Sequence, residues 1–182
     1  ALMGADLGTW DWDVASGRVI FNKRWAEKLG YALDEIDPHV KSWEQRVHPD
    51  DMPRIRKILT DHLEGKTPYY ESEHRLLAKN GAWKWILDKG KVIDRNAEGR
   101  PLRVVGTHLD ITDRRLRDEM IRSERDLLAA LSRALSLDET LSLCIAKAIE
   151  VSRMDCGGLY LVNDDGSVVL AAHQGFPEAF VH

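Results

Sequence analysis

The sequence predicts an α+β fold with a five-stranded antiparallel sheet, a helical crossing and a long helix after the sheet. Three observations support this class. Two short alternating segments come first, a mostly helical stretch follows, and three longer alternating segments are then separated only by short turns. After Asp113 the apolar residues change from alternation to helical spacing. Consecutive strands joined by tight turns pair antiparallel, which gives the sheet its type.

The composition is typical of a globular chain. Of the 182 residues, 43% are hydrophobic and 31% are charged, and the net charge is −4. This charge gives no reason to expect a nucleic acid or an anionic membrane as a partner. No apolar run approaches the roughly 20 residues of a membrane helix, and no leader peptide is expected. Cys144 and Cys156 lack metal-ligand spacing and favour a reducing, cytoplasmic compartment.

The part before the central helix contains short elements. Asn22 can cap a short helix that Gly30 ends. The residues around Trp43 form an apolar patch in a region predicted to be mostly irregular. The predicted elements in order are a strand over 7–13, a strand over 18–21, the helix after Asn22, a helical turn over 33–37 and the irregular patch over 43–47.

A central helix is predicted from Asp51 to about Glu64. Asp50 can accept hydrogen bonds from the first-turn amides, and Pro53 is tolerated there because those amides have no helical acceptor. Its apolar stripe comprises Met52, Ile55, Ile58, Leu59 and Leu63, with His62 near the middle. Three strands follow over 69–77, 82–94 and 102–112, joined by turns at 79–81 and 96–101.

The C-terminal part is predicted to contain two amphipathic helices and a hairpin. The first helix runs over 113–135, and its apolar stripe comprises Leu116, Met120, Leu127, Leu131 and Leu135. This stripe is narrow and flanked by charges, so a homodimer through this helix is expected. A second helix over 137–153 and strands over 157–162 and 167–173 follow. These elements cannot bury a core alone, so they are expected to begin a larger domain.

No catalytic constellation is present in the sequence, so the chain itself is not expected to be an enzyme. There is no Gly-rich phosphate loop, nucleophile motif or HExxH pair. His48, Asp50 and Asp51 suit a helix start better than a metal site, and no metal site is predicted. The helix over 114–135 contains no histidine, which excludes a phosphoacceptor helix.

One strand carries an alternating set of polar side chains. Tyr70, Ser72 and His74 share one face, so they would line a small polar pocket if that face points inward. The sequence does not determine whether the face points inward or outward. Trp85, like Trp10, Trp12 and Trp83, is expected to lie in the core, at a dimer interface or in a cavity wall.

Several motifs in one order resemble a PAS domain of the subclass often written PAS fold 3. They are Gly8-Thr-Trp-Asp-Trp-Asp13, Leu29-Gly-Tyr31, Val47-His-Pro-Asp-Asp51, the stretch from Glu73-His-Arg75 through Asn80-Gly81 to Trp85, and Asp110-Ile-Thr112. Residues 136–182 resemble the start of a GAF domain through Gly158-Leu-Tyr-Leu161 and Asn163-Asp-Asp-Gly166. The expected organisation is a PAS sensor domain over 1–113, a signalling coiled-coil helix over 114–135 and a GAF fragment over 136–182.

The resemblance also limits the cofactors. The PAS-like segment has no cysteine, which excludes covalent flavin or thioester-linked chromophores, while non-covalent flavin stays open. In haem-binding PAS domains the axial histidine comes from the central helix, so His62 is the candidate ligand. The alternative is a histidine satisfied within the core or at the pocket edge, in which case His62→Ala is expected to leave folding nearly intact. No cofactor is assigned.

The resemblance implies a role for Asp110, Ile111 and Thr112. In PAS proteins the last strand passes its conformational state into a signalling helix at this triad. Thr112 or Asp113 can cap the helix, and Asp110 can hold the strand end by a hydrogen bond or an ion pair. The alternative is that the segment is merely a good capping sequence.

The leading hypothesis is a cytoplasmic sensory input module of a bacterial-type signalling protein. It would bind a small ligand or partner in the PAS domain and act through a dimeric helix on GAF and output domains, with a histidine kinase or diguanylate cyclase as plausible output. The candidate ligand-binding residues are His62, His74, Ser72, Tyr70 and Trp85. The alternatives are a ligand-free dimerisation and relay module, and a haem-based redox or gas sensor.

Overall fold

A computed structural model describes residues 7–132 and 136–177 of the chain. Its contacts divide the chain into two units, residues 1–116 and 117–182. Among the helices in these described ranges, none is both long and apolar enough to cross a membrane.

The first unit is built on one five-stranded antiparallel sheet, which confirms the predicted sheet. Its strands are β1 (Gly8–Asp13), β2 (Val19–Phe21), β3 (Tyr70–Leu77), β4 (Trp83–Arg95) and β5 (Pro101–Asp110). Their order across the sheet is β2-β1-β5-β4-β3. The helical crossing between β2 and β3 contains α1 (Lys23–Lys28), a 3₁₀ turn (Leu33–Glu35), α2 (Val40–Glu44) and α3 (Met52–Leu63).

The region around Trp43 corrects the sequence prediction. It was expected to be mostly irregular, but Trp43 lies on α2, with its side chain buried. The Nδ1 atom of His39 accepts a hydrogen bond from the Lys41 amide and caps the helix. A helix of five residues is too short to show a helical period, and histidine is not among the usual caps.

The start of α3 also differs from the expectation. Asp51, at the N-cap position, makes no capping hydrogen bond, and its carboxylate instead accepts from the backbone and the guanidinium of Arg75 on β3. Asp50 is exposed. Hydrogen bonds from Arg75 lower the pKa of Asp51 from 3.8 to about 2. A lowered carboxyl pKa adds stability above about pH 4 that is lost as the pH falls toward 2.

The inner face of the sheet is shaped by one tryptophan. Trp10 on β1 lies beside Gly106 on β5, which in turn pairs with Gly90 on β4. A Cβ at Gly106 would lie 2.2 Å from the Trp10 ring, and one at Gly90 would lie 2.5 Å from it. The two glycines therefore provide the space in which the indole packs flat against the sheet. The core around it comprises Val19, Phe21, Trp25, Ala26, Leu29, Ile36, Trp43, Val47, Ile55, Tyr70, Leu76, Ile86 and Val104.

The second unit begins within α4 (Thr112–Leu131) and contains α5 (Leu137–Ser152) and an antiparallel hairpin of β6 (Gly157–Val162) and β7 (Val168–Gln174). Ser136 caps α5 by accepting from the Glu139 amide. Several hairpin side chains are exposed, among them Tyr160, Val162 and Val168. Leu135 lies outside the described residues. That this unit begins a GAF domain stays a prediction.

Candidate functional site

Tyr70, Ser72 and His74 point into the core, and all three are buried. The Ser72 Oγ lies 2.8 Å from the Tyr70 hydroxyl and 2.9 Å from the His74 Nδ1. The indole of Trp43 donates to the His74 Nε2 at 3.3 Å. Indole nitrogen can only donate, so a neutral His74 carries its proton on Nδ1 and donates to Ser72. Tyr70, Ser72 and His74 therefore form a continuous chain of hydrogen bonds on the inner face of the sheet, and Trp43 donates to its end.

Burial affects the ionisation of this chain. It lowers the pKa of His74 to about 4, so the imidazole is neutral at pH 7. Burial, and then the charge of Asp88, raise the pKa of Tyr70 well above its ordinary value. Both groups are therefore uncharged under ordinary conditions.

A second polar group lies on the same face, and sequence reasoning missed it. Asp88 on β4 and His108 on β5 are direct cross-strand partners, and both are buried. The Asp88 Oδ2 lies 3.0 Å from the His108 Nε2, and its Oδ1 accepts from the Trp10 indole at 2.9 Å. Only the strand register, which the sequence does not specify, puts these residues opposite each other.

A cavity of about 40 Å³ lies between the sheet and the helices. Tyr70, Asp88 and His108 line it, together with four tryptophans and with Phe21, Val19, Val40 and Leu59. On this measure one water needs about 10–15 Å³, so the cavity has room for about three water-sized groups. Ser72, His74, His62 and Trp85, four of the predicted pocket residues, are not in its wall.

His62 lies near the end of α3, and both of its ring nitrogens have partners within the fold. Its Nε2 accepts a hydrogen bond from the Val92 amide at 3.0 Å, and its Nδ1 lies 2.9 Å from the Thr67 carbonyl. The neutral ring therefore has its proton on Nδ1, and its one lone pair is already engaged. An iron ligand needs that lone pair. The arrangement favours the satisfied core histidine over the haem ligand.

The contacts of His62 lead us to expect a larger effect of His62→Ala than the sequence alone does. We expect this substitution to lower the free energy of unfolding by about 2 kcal/mol, because it leaves the Val92 amide without an acceptor and opens a space in the core. Urea denaturation followed by far-ultraviolet circular dichroism would measure it. His173→Ala, at an exposed histidine of β7, is the control and should change the value little. Equal small effects for both variants would contradict the role assigned to His62.

Trp85 lies on the outer face of the sheet rather than in the cavity wall. Its ring is contacted by the guanidinium of Arg115 at 4.5 Å and by that of Arg75 at 5.4 Å. It follows the alternation of β4, in which Ile86 and Asp88 point inward. The candidate assignment of Trp85 to the ligand pocket is therefore not supported by its position.

A very short junction joins β5 to α4. β5 ends at Asp110 and α4 begins at Thr112, which leaves Ile111 as the one residue between them. Asp110 accepts from the Thr112 amide at 2.9 Å and lies 2.9 Å from the Lys84 ammonium on β4. The Trp85 amide donates to the Thr112 hydroxyl, and the Ile111 amide donates to the Trp85 carbonyl.

These contacts affect the charge of Asp110. Burial works to raise its pKa, but the donors of Thr112 and Lys84 outweigh it, and the net pKa is lowered. Asp110 is therefore ionised near neutral pH. Its contribution to stability is present above the ordinary carboxyl pKa and is lost as the pH falls through the lowered value.

A second group of contacts joins the first turn of α4 to the outer face of the sheet. Glu73 on β3 forms ion pairs with Arg114, at 3.1 Å, and with Arg115. Arg115 at the same time stacks over Trp85. The helix start is thus held by the hydrogen bonds of Asp110 at the strand end and by Glu73 on the outer face.

The predicted dimer residues lie along α4, and none of its described residues is buried. Leu116 and Met120 are 59% and 66% exposed, while Leu127 and Leu131 are partly exposed. Among the described residues, the start of this stripe at Leu116 and Met120 is therefore exposed.

An antiparallel sheet packed over short helices, with a small interior cavity and a helix that leaves directly from the last strand, is the architecture of a sensor domain. The family described as PAS fold matches residues 18–108, and the chain belongs to this family. Part of the recognition made from the motifs is thereby confirmed, because the match covers the PAS part alone.

Known relatives of this region are sensor and signalling proteins. The chain is 32% identical over 124 residues to a methyl sulfide methyltransferase-associated sensor of Methanosarcina acetivorans, covering 68% of this chain and 12% of that protein. It is 27% identical over 155 residues to the probable diguanylate cyclase DgcE of Escherichia coli. This match covers 82% of this chain and 13% of that protein. The chain thus spans about an eighth of the length of these curated relatives.

A solved structure supports the same assignment. The crystal structure of a sensory box histidine kinase/response regulator from Burkholderia thailandensis superimposes with a TM-score of 0.62 and 31% identity, over 71% of this chain and 95% of that one. The protein therefore contains a PAS sensor domain related to those of signalling kinases and cyclases.

Proposed function

We propose that the protein is the sensory input module of a signal-transduction protein. A small ligand or partner acts on the PAS domain, and a dimeric α4 carries the change to downstream domains. The observation that supports this most directly is the one-residue junction between β5 and α4. A junction of this length has no soft linker in which a movement of the sheet would be lost.

The contacts at the junction give the proposal a mechanism. Lys84 and Trp85 of β4 hold the strand end and the helix start through Asp110 and Thr112. Glu73 holds the same helix turn from the outer face. A shift of β4 relative to β3 therefore changes the direction in which α4 leaves the sheet, and Asp110, Ile111 and Thr112 act as the transmitting segment.

We assign dimerisation to α4 and the output to domains beyond this chain. A second copy of the helix would cover the exposed stripe that includes Leu116 and Met120. The boundaries 1–113, 114–135 and 136–182, the GAF identity of the last segment and a cytoplasmic location belong to this proposal. A histidine kinase or diguanylate cyclase would supply the enzymatic activity, while this chain serves as a non-catalytic sensor.

A ligand-free relay is the second candidate function, and the small cavity favours it. Ligand pockets usually measure about 300–1,000 Å³, whereas the space here is about 40 Å³. A relay module would respond to a partner on the outer face or to a neighbouring domain. A haem sensor is the weakest candidate, because both ring nitrogens of His62 have partners within the fold.

Substitutions at the two attachments of α4 test the proposed relay. In the complete parent protein we expect Glu73→Gln and Asp110→Ala each to separate sensing from output while the PAS core still folds. Glu73→Gln weakens the ion pairs to Arg114 and Arg115, and Asp110→Ala removes the acceptor of the Thr112 amide. The measurements are the output activity with and without stimulus, and the melting temperature of the isolated chain.

Glu71→Gln is the matched control for Glu73→Gln. Glu71 lies two residues away on the same strand and face and is ion-paired to Lys89 of β4 rather than to the helix. The Glu71→Gln substitution should leave the output unchanged. Loss of its exposed ion pair should lower the free energy of unfolding only slightly. A normal response in the Glu73 and Asp110 variants, with a melting temperature lowered by many degrees, would show that both residues are only structural.

A further inference from the structure

Aromatic side chains form most of the wall of the interior cavity. Six rings contribute, and they belong to Trp10, Trp12, Phe21, Trp25, Trp43 and Tyr70. The remaining apolar wall comes from aliphatic side chains. A wall of this kind presents ring faces that attract a positive charge, and tryptophan does so most strongly.

A carboxylate completes this wall. Asp88 is the one acidic residue among the described residues that line the cavity, and it is buried. The Trp10 indole donates to this carboxylate, and the His108 Nε2 lies 3.0 Å from it. A carboxylate buried in this way needs hydrogen-bond donors or a positive charge beside it.

We propose that the cavity binds a small methylated ammonium cation, held by the aromatic rings around it and by the charge of Asp88. The inference rests on the proposed function, since it identifies the class of ligand that the sensor domain takes. The cavity has room for about three water-sized groups, which matches a compact cation with a few carbon atoms once the aromatic side chains adjust. Larger cofactors do not fit this volume.

Other ligand chemistries suit the wall less well. The charge of Asp88 repels an anion. A primary ammonium carries three N–H donors that all require acceptors, and the aromatic wall offers few. A methylated ammonium spreads its charge over C–H groups, so ring faces and one nearby carboxylate are sufficient.

Titration of the 182-residue chain with tetramethylammonium chloride would test the proposal. Tryptophan fluorescence and calorimetry at constant ionic strength would follow binding, and tert-butanol serves as a neutral probe of similar shape. We expect saturable binding of tetramethylammonium that is at least about tenfold tighter than binding of tert-butanol. Asp88→Asn keeps the shape and an acceptor for Trp10, and it should remove this preference.

Each other outcome overturns the proposal. Equal binding of the two probes means that the cavity is merely apolar, and no saturable binding of either means that it takes no such ligand. Binding unaffected by Asp88→Asn places the cation elsewhere. If the Asp88→Asn variant does not fold, the comparison of tetramethylammonium with tert-butanol on the unsubstituted chain still shows whether the cavity prefers a cation. The relay is tested separately by Glu73→Gln. A failure of the cation proposal therefore does not affect the result for the relay.

Discussion

Inserting one residue after Arg117 is expected to abolish the output of the complete parent protein or to lock it in one state, whereas inserting seven residues should restore most of the response. Arg117 lies in α4, between Leu116 and the later part of the stripe. Each residue turns a helix by about 100°, so one insertion rotates Leu127 and Leu131 away from their partner helix. Seven insertions return the stripe to within about 20° and add about 10 Å of length.

Output activity and ligand response of the two insertion variants are the measurements. Light scattering at tens of micromolar serves as the control, because it shows whether each variant is still a dimer. If α4 were a flexible tether, both insertions should be tolerated about equally, because the length of a tether changes the effective concentration of the joined domains only gradually. Equal activity and equal response in the two variants would rule out a rigid transmitting helix.

The second large effect is expected at the inner face of the sheet. Gly90→Ala and Gly106→Ala should each lower the free energy of unfolding by about 3 kcal/mol, because the added methyl group overpacks the core against Trp10. At Gly106 the new Cβ would also lie 2.3 Å from the Lys89 carbonyl, so relaxation there requires movement of the backbone. Urea denaturation of the chain would measure both variants.

A double-mutant cycle distinguishes the cause at Gly90. Its nearest neighbours are ring atoms of Trp10 at 2.5 and 2.7 Å, so the clash should disappear once the ring is removed. Gly90→Ala should therefore cost much less in a Trp10→Leu background than in the unsubstituted chain. At Gly106 a residual cost should persist because of the Lys89 carbonyl. Simple additivity of Gly90→Ala and Trp10→Leu would show that the two sites are independent.

The strands were predictable because their alternation and turns are local properties. The turn at Asn96 and the meander of β3, β4 and β5 follow from residues close together in the chain. The face of Tyr70, Ser72 and His74 was not predictable, since it depends on which side the helices cover. The pairing of Asp88 with His108 likewise depends on a register between strands that the sequence leaves open.

Several contacts were not predictable because the partner lies far away in the chain. Asp51 was expected at a helix start, but Arg75, which is 24 residues later, takes its carboxylate. His62 was predicted to be either a ligand or a satisfied core histidine, and its bond from the Val92 amide agrees with the second alternative. Trp85 was a candidate for the pocket, while the Arg115 guanidinium stacks over it on the outer face.

Strand β4 carries both ends of the proposed signalling route. Asp88 contributes to the cavity wall, and four residues earlier Lys84 holds Asp110, with Trp85 bonded to Thr112. Four residues of strand span about 13 Å, so no chain of side-chain contacts through the core is needed between them. For protein engineering, we expect that a foreign output helix can be fused here while the cavity stays unchanged. Such a fusion needs to keep the two β4 residues, the Asp110–Thr112 segment that they hold, and the ion pairs of Glu73 with Arg114 and Arg115.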